Sequence, residues 1–213
     1  MDARLEKDTR FWNRVARKYA ADPIADVAGY ENTLKAVSQR LNLNDSVIEI
    51  GCGTGSTALR LANAAGKYLA TDLSTEMIAI AQEKAAAEDV PNLTFAVGEP
   101  VSADWPDAAY DCALAFNVLH LVSSPSQTLA AIHRMLKPGG LFISKTPCLK
   151  RMNPMIRLLI PIMKLFGKAP SVSVFAPEDI EAFLLKANFE IVERAWHGEK
   201  GKDTRPYVVA RKI

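Results

Sequence analysis

Gly51, Gly53 and Gly55 alternate with Cys52 and Thr54 directly after the apolar run Val47-Ile-Glu-Ile50, and Ser56 opens a segment of helical character. A strand that turns into a helix through residues without side chains lets backbone approach a ligand closely. The start of the helix presents N–H groups that have no internal partner. Asp72 ends the next apolar run, Lys67-Tyr-Leu-Ala-Thr71. In a doubly wound sheet, an acidic residue there binds ribose hydroxyls. Dinucleotide sites share the glycine turn, but two residues argue against one. Ser56 stands where that pattern has Gly or Ala. Glu49, two residues before the first glycine, would repel a pyrophosphate and suits a ligand carrying an ammonium and a sulfonium. The second half of the chain supplies no Tyr and Lys four apart for nicotinamide chemistry.

Other reactive side chains stand where a base or a ligand contact could be needed. His120 follows the fourth predicted strand in Asn117-Val-Leu-His120, on the rim where a substrate would sit, and is the best candidate for a general base. The competing reading is a histidine packed under the loop. His133 falls within a helical stretch beside Leu129, Ile132 and Leu136 and reads as surface or packing, while His197 lies in a polar loop near the end. Tyr19 and Tyr30 belong to an N-terminal helical segment and could either cover a ligand or pack helices. Cys148 in Thr146-Pro-Cys148 reads as an inert thiol.

The elements that must position these residues alternate. Strands are predicted at Ser46–Ile50, Lys67–Thr71, Leu93–Val97, Cys112–Phe116, Leu141–Ser144, Phe189–Glu193 and Tyr207–Ala210, with helices over Ser56–Ala65, from Ser74, over Ser126–Leu136 and over Pro177–Ala187. Strand alternating with helix implies an α/β fold, a doubly wound, seven-stranded, mostly parallel sheet. The first 40 or so residues read as a helical cap, with Phe11, Trp12, Val15 and Tyr19, then Leu34, Val37 and Leu41, at helical spacing. Residues 147–176 interrupt the rhythm with an apolar stretch around Met155–Phe166, in which Pro161 should kink or split a helix. The whole reads as one domain, residues 1–213, with a cap over 1–42 and a helical lid or insertion over 147–176.

Composition narrows the classes. The net charge of +2 over 213 residues gives no global case for nucleic-acid binding. Charge is uneven: no acidic residue lies between Asp111 and Glu178, a stretch with eight Lys and Arg. Cys52, Cys112 and Cys148 make neither a disulfide framework nor a metal site. The charged N-terminus and the lack of a long apolar run point to a cytoplasmic protein.

Five segments in order resemble the class I S-adenosylmethionine-dependent methyltransferases, above all the small-molecule group that includes ubiquinone/menaquinone-biosynthesis and phospholipid methyltransferases. They are Glu49-Ile-Gly-Cys-Gly-Thr-Gly55, Thr71-Asp-Leu-Ser74, Val97-Gly-Glu99, Tyr110-Asp-Cys-Ala-Leu-Ala-Phe-Asn117 and Leu136-Lys-Pro-Gly-Gly-Leu141. The resemblance implies a Rossmann-like methyltransferase fold and S-adenosyl-L-methionine as cofactor. It implies that Gly51, Cys52, Gly53 and Gly55 meet the amino-acid end of the cofactor and that Glu49 anchors its ammonium through water. Asp72 would take the ribose hydroxyls, Leu73 and Met77 would flank the adenine, and the Asn117 backbone would lie near the sulfonium. Tyr19 would close over the ligand. Glu99 can accept from the adenine amino group, but Pro100 departs from the family pattern because it has no N–H for the ring. Either Val101 substitutes or that contact is absent.

The function these features imply is methyl transfer to a small, apolar or aromatic acceptor at O, N or C. The alternatives are a non-catalytic adenosine-ligand-binding module or, less well supported, a nicotinamide-dependent oxidoreductase. Residues 147–176 admit three readings: a lid packing its apolar face on the sheet, a membrane-surface segment with Lys150, Arg151, Arg157, Lys164 and Lys168 near anionic head groups, or a dimer contact.

Overall fold

A computed structural model describes residues 3–102, 104–152, 154–165, 168–198 and 203–213. Seven strands form one sheet: β1 Ser46–Ile50, β2 Lys67–Asp72, β3 Leu93–Val97, β4 Tyr110–Phe116, β5 Leu136–Lys145, β6 Phe189–Ala195 and β7 Tyr207–Lys212. Their spatial order is β3-β2-β1-β4-β5-β7-β6, and only β7 runs against its neighbours. The order reverses between β1 and β4, so the chain leaves a crevice at their carboxyl ends, where doubly wound sheets bind ligands.

The helices are α1 Ala3–Ala21, α2 Val27–Ser38, α3 Ser56–Leu61, α4 Thr75–Ala85, α5 Pro125–Met135, α6 Pro154–Leu165 and α7 Pro177–Lys186. Local chemistry sets several of their starts. The Ser74 hydroxyl accepts from the Met77 N–H at the head of α4, and Ser124 does the same for Gln127 at the head of α5, where Pro125 takes the first helical position. One apolar layer on the sheet is built from Ile48, Ile50, Leu129, Ile132, Phe142 and Leu184. The other is built from Leu34, Val37, Val47, Leu61, Tyr68 and Val209. Nearly continuous apolar strands such as β1 and β4 follow from burial on both faces.

Two local readings of the sequence change. The fifth strand begins at Leu136, not Leu141, because Leu136 pairs with Tyr110 before a register shift that absorbs Pro138-Gly139-Gly140. Gly139 takes φ +76° in that irregularity, a region an L side chain rarely enters. Pro161 does not split α6, which is one helix from Pro154 to Leu165 with the proline inside. Met155, Leu159, Ile162, Met163 and Leu165 of α6 are exposed.

The N-terminal cap packs as a helix pair. Ala16 of α1 is fully buried against Met77 and Ile80 of α4. Polar ties hold α1 along its length. Arg4 donates to the Val122 carbonyl, the Ser171 N–H donates to Asp8, and the Ser74 hydroxyl meets the Asn13 side-chain oxygen. Arg17 and Glu83 form a two-point exposed pair.

Candidate active site

A cleft opens at the switch point, lined by Gly51, Gly53, Asp72, Leu73, Met77, Glu99 and Asn117 among others. It holds about 960 Å³ including its mouth. Tyr19 and Trp12 of α1 form its outer wall, their rings edge-to-face with centroids 6.1 Å apart.

The three glycines have different work. All take positive φ, +68° at Gly51, +54° at Gly53 and +76° at Gly55, so each is favoured for its backbone alone. A Cβ on Gly51 would sit 2.5 Å from Val118 Cγ2, and one on Gly55 would sit 2.8 Å from the Ala81 Cβ and 2.9 Å from the Phe95 ring. Those two allow packing against β4's following loop and between α3, α4 and β3. On Gly53 a Cβ would meet only Tyr19 Cε1, at 3.8 Å. Gly53 is thus an open cradle facing the cleft, and Gly55 does not line it.

Asp72 ends β2 beside that cradle. One carboxylate oxygen accepts from the Gly53 N–H at 3.0 Å and the other from the Ser74 N–H at 2.9 Å. Burial pushes its carboxyl above the usual range, opposed by those N–H groups and that of Leu73. Each oxygen keeps a further lone pair for a donor in the cleft. A carboxylate fixed by backbone and facing a cavity is fitted to paired hydroxyls, and the adjacent Leu73 and Met77 offer apolar flanks to a planar ring.

Glu49 sits beneath the turn. It is fully buried, does not line the cleft, and accepts from the Tyr68 hydroxyl at 2.7 Å. Burial raises its carboxyl to about 7, against the hydrogen bond from Tyr68 that lowers it, while the nearby Asp72 charge raises it further. Cys52 lies off this cleft and lines a neighbouring one, and its thiol is pushed up by burial and by the Glu49 and Asp72 charges. Pro100 lines the cleft, whereas Val101 does not and is exposed. Trp105 braces this loop by donating from Nε1 to the Glu99 carbonyl at 2.7 Å.

His120 is not brought to the cleft. Desolvation lowers its imidazole to about 4, and its buried Nδ1 has no hydrogen-bond partner among the described residues. His133 packs edge-to-face on Phe189. His197 stacks on Tyr207 at 4.4 Å and its Nδ1 meets the Thr33 hydroxyl at 3.0 Å. Cys148 is buried, with its thiol pushed up to about 12 by desolvation. Among the described residues no group of His, Cys, Asp and Glu could hold a metal ion.

The second cavity adjoins the first and shares Tyr19, Phe116 and Asn117 with it. Its other walls include Tyr30, whose hydroxyl meets Thr57 at 3.3 Å, and Lys145 and Arg205, neither of which sequence reasoning singled out. Asn117 has φ +54°, a strained conformation for a residue with a side chain, at the junction of the two cavities. Arg4, Leu5, Asp8 and Trp12 were also missed, because nothing local says that α1 folds back over the end of the sheet. Lys145 did carry a signal, a lone charge at the end of an apolar strand.

A family model described as a methyltransferase domain matches residues 48–144. The demethylmenaquinone methyltransferase of Symbiobacterium thermophilum is 33% identical over 119 residues, which is 54% of this chain and 46% of that protein. The match thus takes in less than half of that relative's length. The demethylmenaquinone methyltransferase of Geobacillus kaustophilus is 27% identical over 179 residues, 76% of this chain and 74% of that protein. An S-adenosylmethionine-dependent methyltransferase of Thermotoga maritima shares the fold, with a TM-score of 0.72 at 20% identity, over 96% of this chain and 99% of that one. Matched in sequence over residues 48–144 and in fold along nearly all its length, the chain resembles the S-adenosylmethionine-dependent methyltransferases.

Proposed function

We propose that the chain transfers a methyl group from S-adenosylmethionine to a small, apolar or aromatic acceptor. The observation that carries this reading is the Asp72 carboxylate, held by two backbone N–H groups beside the open cradle at Gly53. When bound, S-adenosylmethionine supplies a methyl carbon already made electrophilic by its sulfonium. Asp72 takes the ribose hydroxyls, Leu73 and Met77 flank the adenine, and Glu99 accepts from its amino group. The backbone at Gly51 and Gly53 lies along the amino-acid end, and Glu49 attracts the ammonium from beneath the turn. Asn117 stands at the sulfonium, between the two cavities. Tyr19 and Trp12 shut water out from the α1 side. Orientation is the main contribution the residues make, and in favourable cases it supplies ~7–11 kcal/mol. No base is assigned, since His120 stands off the cleft.

Asp72→Ala should weaken S-adenosylhomocysteine binding at least about tenfold, roughly the loss of one charge-assisted hydrogen bond. Isothermal calorimetry checks this, and an unchanged affinity would remove the ribose assignment. Tight S-adenosylmethionine binding without NAD binding separates this function from a dehydrogenase. Conversion of bound cofactor to S-adenosylhomocysteine with a pool of acceptors separates it from a non-catalytic binding module.

We also infer that α6 rests on a membrane surface. Among the described residues no helix is long and apolar enough to cross a membrane. Yet Met155, Leu159, Ile162, Met163 and Leu165 project into solvent from one short helix, within the stretch of the chain that has no acidic residue. An amphipathic helix with basic flanks binds anionic lipid. Co-sedimentation with anionic vesicles should be strong at low salt and reduced at high salt. Vesicles that leave the protein in the supernatant under both conditions would return α6 to a lid or a contact between copies.

A further inference from the structure

Lys145 closes β5 and its side chain is only 7% exposed, yet it lines the second cavity. An ammonium has three donors. Two are taken by neutral oxygens, the Thr33 hydroxyl at 3.0 Å and the Gly29 carbonyl at 3.3 Å. The third has only Asp203, whose carboxylate stands 3.9 Å away, beyond hydrogen-bonding distance. Asp203 is itself occupied, accepting from the N–H groups of Gly198 and Arg205 and from Arg205 Nε. Arg205 also pairs with Asp26, whose other oxygen caps α2 at the Gly29 N–H. The two carboxylates are thus committed to the loop and the helix cap, and Lys145 is left as a buried cation paired with Asp203 at 3.9 Å without a hydrogen bond to it.

Part of the remaining lining is apolar and part is polar, the latter including Asp22, Asp26, Thr57 and Arg205. Pro23, Ile24, Leu34, Tyr30 and the shared Tyr19 and Phe116 also line the cavity, in a space of about 1200 Å³ including its mouth. Phe116 faces Lys145 in register across β4 and β5, so the cation lies beside the residues that join the two cavities. A buried cation whose ion-pair partner stands at 3.9 Å and is shared with other donors favours an incoming anion, because the low-dielectric surroundings strengthen the pair.

We propose that the second cavity is the acceptor site and that Lys145 selects acceptors carrying an acidic oxygen, a phenolate or enolate, on an apolar frame. This rests on the methyl-transfer reading and adds to it the class of acceptor and the residue that chooses it. Lys145 contacts the acceptor oxygen and holds it in the anionic form, which is the form with a reactive electron pair on oxygen or on the conjugated carbon. The acidic oxygen's proton is lost to water, so transfer to oxygen needs no separate base; transfer to carbon would also require the C–H proton at that carbon to leave to water.

The test uses 4-nitrophenol, whose anion absorbs in the visible, titrated in the presence of the full chain with and without S-adenosylhomocysteine. The bound probe should favour its phenolate about tenfold over the free probe, the lower end of what an adjacent opposite charge does. Lys145→Met should abolish that preference and Lys145→Arg should keep it. Calorimetry with S-adenosylhomocysteine checks that both variants remain folded at the cofactor cleft. No binding of the probe at millimolar concentration, an unshifted ionisation in the native protein, or a preference that survives in Lys145→Met would overturn the assignment. Failure of the native protein to bind S-adenosylhomocysteine would count against methyl transfer instead, with Lys145 still judged by the probe.

Discussion

Gly53→Val should abolish cofactor binding and leave the fold in place. Of the three glycines in the turn, only Gly53 separates the two effects. Valine at position 51 or 55 would drive a Cβ to within 2.5 Å of Val118 or 2.8 Å of Ala81, so loss of binding there would be confounded by loss of packing. At position 53 the nearest atom is the far edge of the Tyr19 ring at 3.8 Å, and the new side chain enters the cleft. The structural cost is confined to the backbone, since φ is +54° and an L residue held there loses roughly 1–2 kcal/mol. That is a fraction of the ~5–15 kcal/mol typical of a folded domain. On binding, the branched side chain takes the space where cofactor backbone would approach, and affinity should fall more than about a hundredfold, roughly 2.7 kcal/mol. Calorimetry with S-adenosylhomocysteine and a thermal melt of the same sample check both halves. Retained affinity would mean that the cofactor does not lie along this turn.

The sheet and the glycine turn were legible because their signals are local. Apolar runs such as Val47–Ile50 and Cys112–Phe116 are bounded by turn residues, and the capping serines at 74 and 124 mark helix starts. Asp72 was legible because it ends a strand next to the turn. The readings that changed depend on contacts made across the chain. Whether Leu136 ends a helix or starts a strand is decided by its pairing with Tyr110. Whether His120 reaches the cleft depends on the path of the loop after β4, and the Ser173 N–H fixes that loop by donating to the His120 carbonyl at 2.7 Å. Trp12 and Asp8 reach the cleft because α1 packs on α4 and is tied at Ser171, partners far away in sequence. Lys145 and Asp203 meet because β5 pairs with β7, which no pattern around either residue encodes.

Glu49→Gln should raise stability above neutral pH and leave it nearly unchanged near pH 5. Glu49 is 1% exposed, and its carboxyl sits at about 7 against an ordinary value of 4.5. Between those two values the native chain holds a proton that the unfolded chain has released. This group's contribution is therefore complete below about pH 4.5 and declines as pH rises through 7, by about 3 kcal/mol in all. Glutamine removes the titration, keeps the shape, and can still accept from the Tyr68 hydroxyl, which burial keeps protonated by holding it well above its usual range. Denaturant midpoints for both proteins at pH 5, 6.5 and 8 should diverge toward the alkaline end in favour of Gln. Parallel profiles would mean that the carboxylate is already ionised and solvated near pH 5. The same carboxylate couples to the ligand. A bound ammonium favours the ionised form, so cofactor binding should release a proton from Glu49 and tighten as pH rises toward 7, up to about tenfold per pH unit. In the Gln variant that pH dependence should disappear and affinity should be weaker. On the proposed reading a destabilising buried carboxylate beneath the glycine turn attracts the cofactor's cation, and the two sets of curves test the cost and the benefit on one residue.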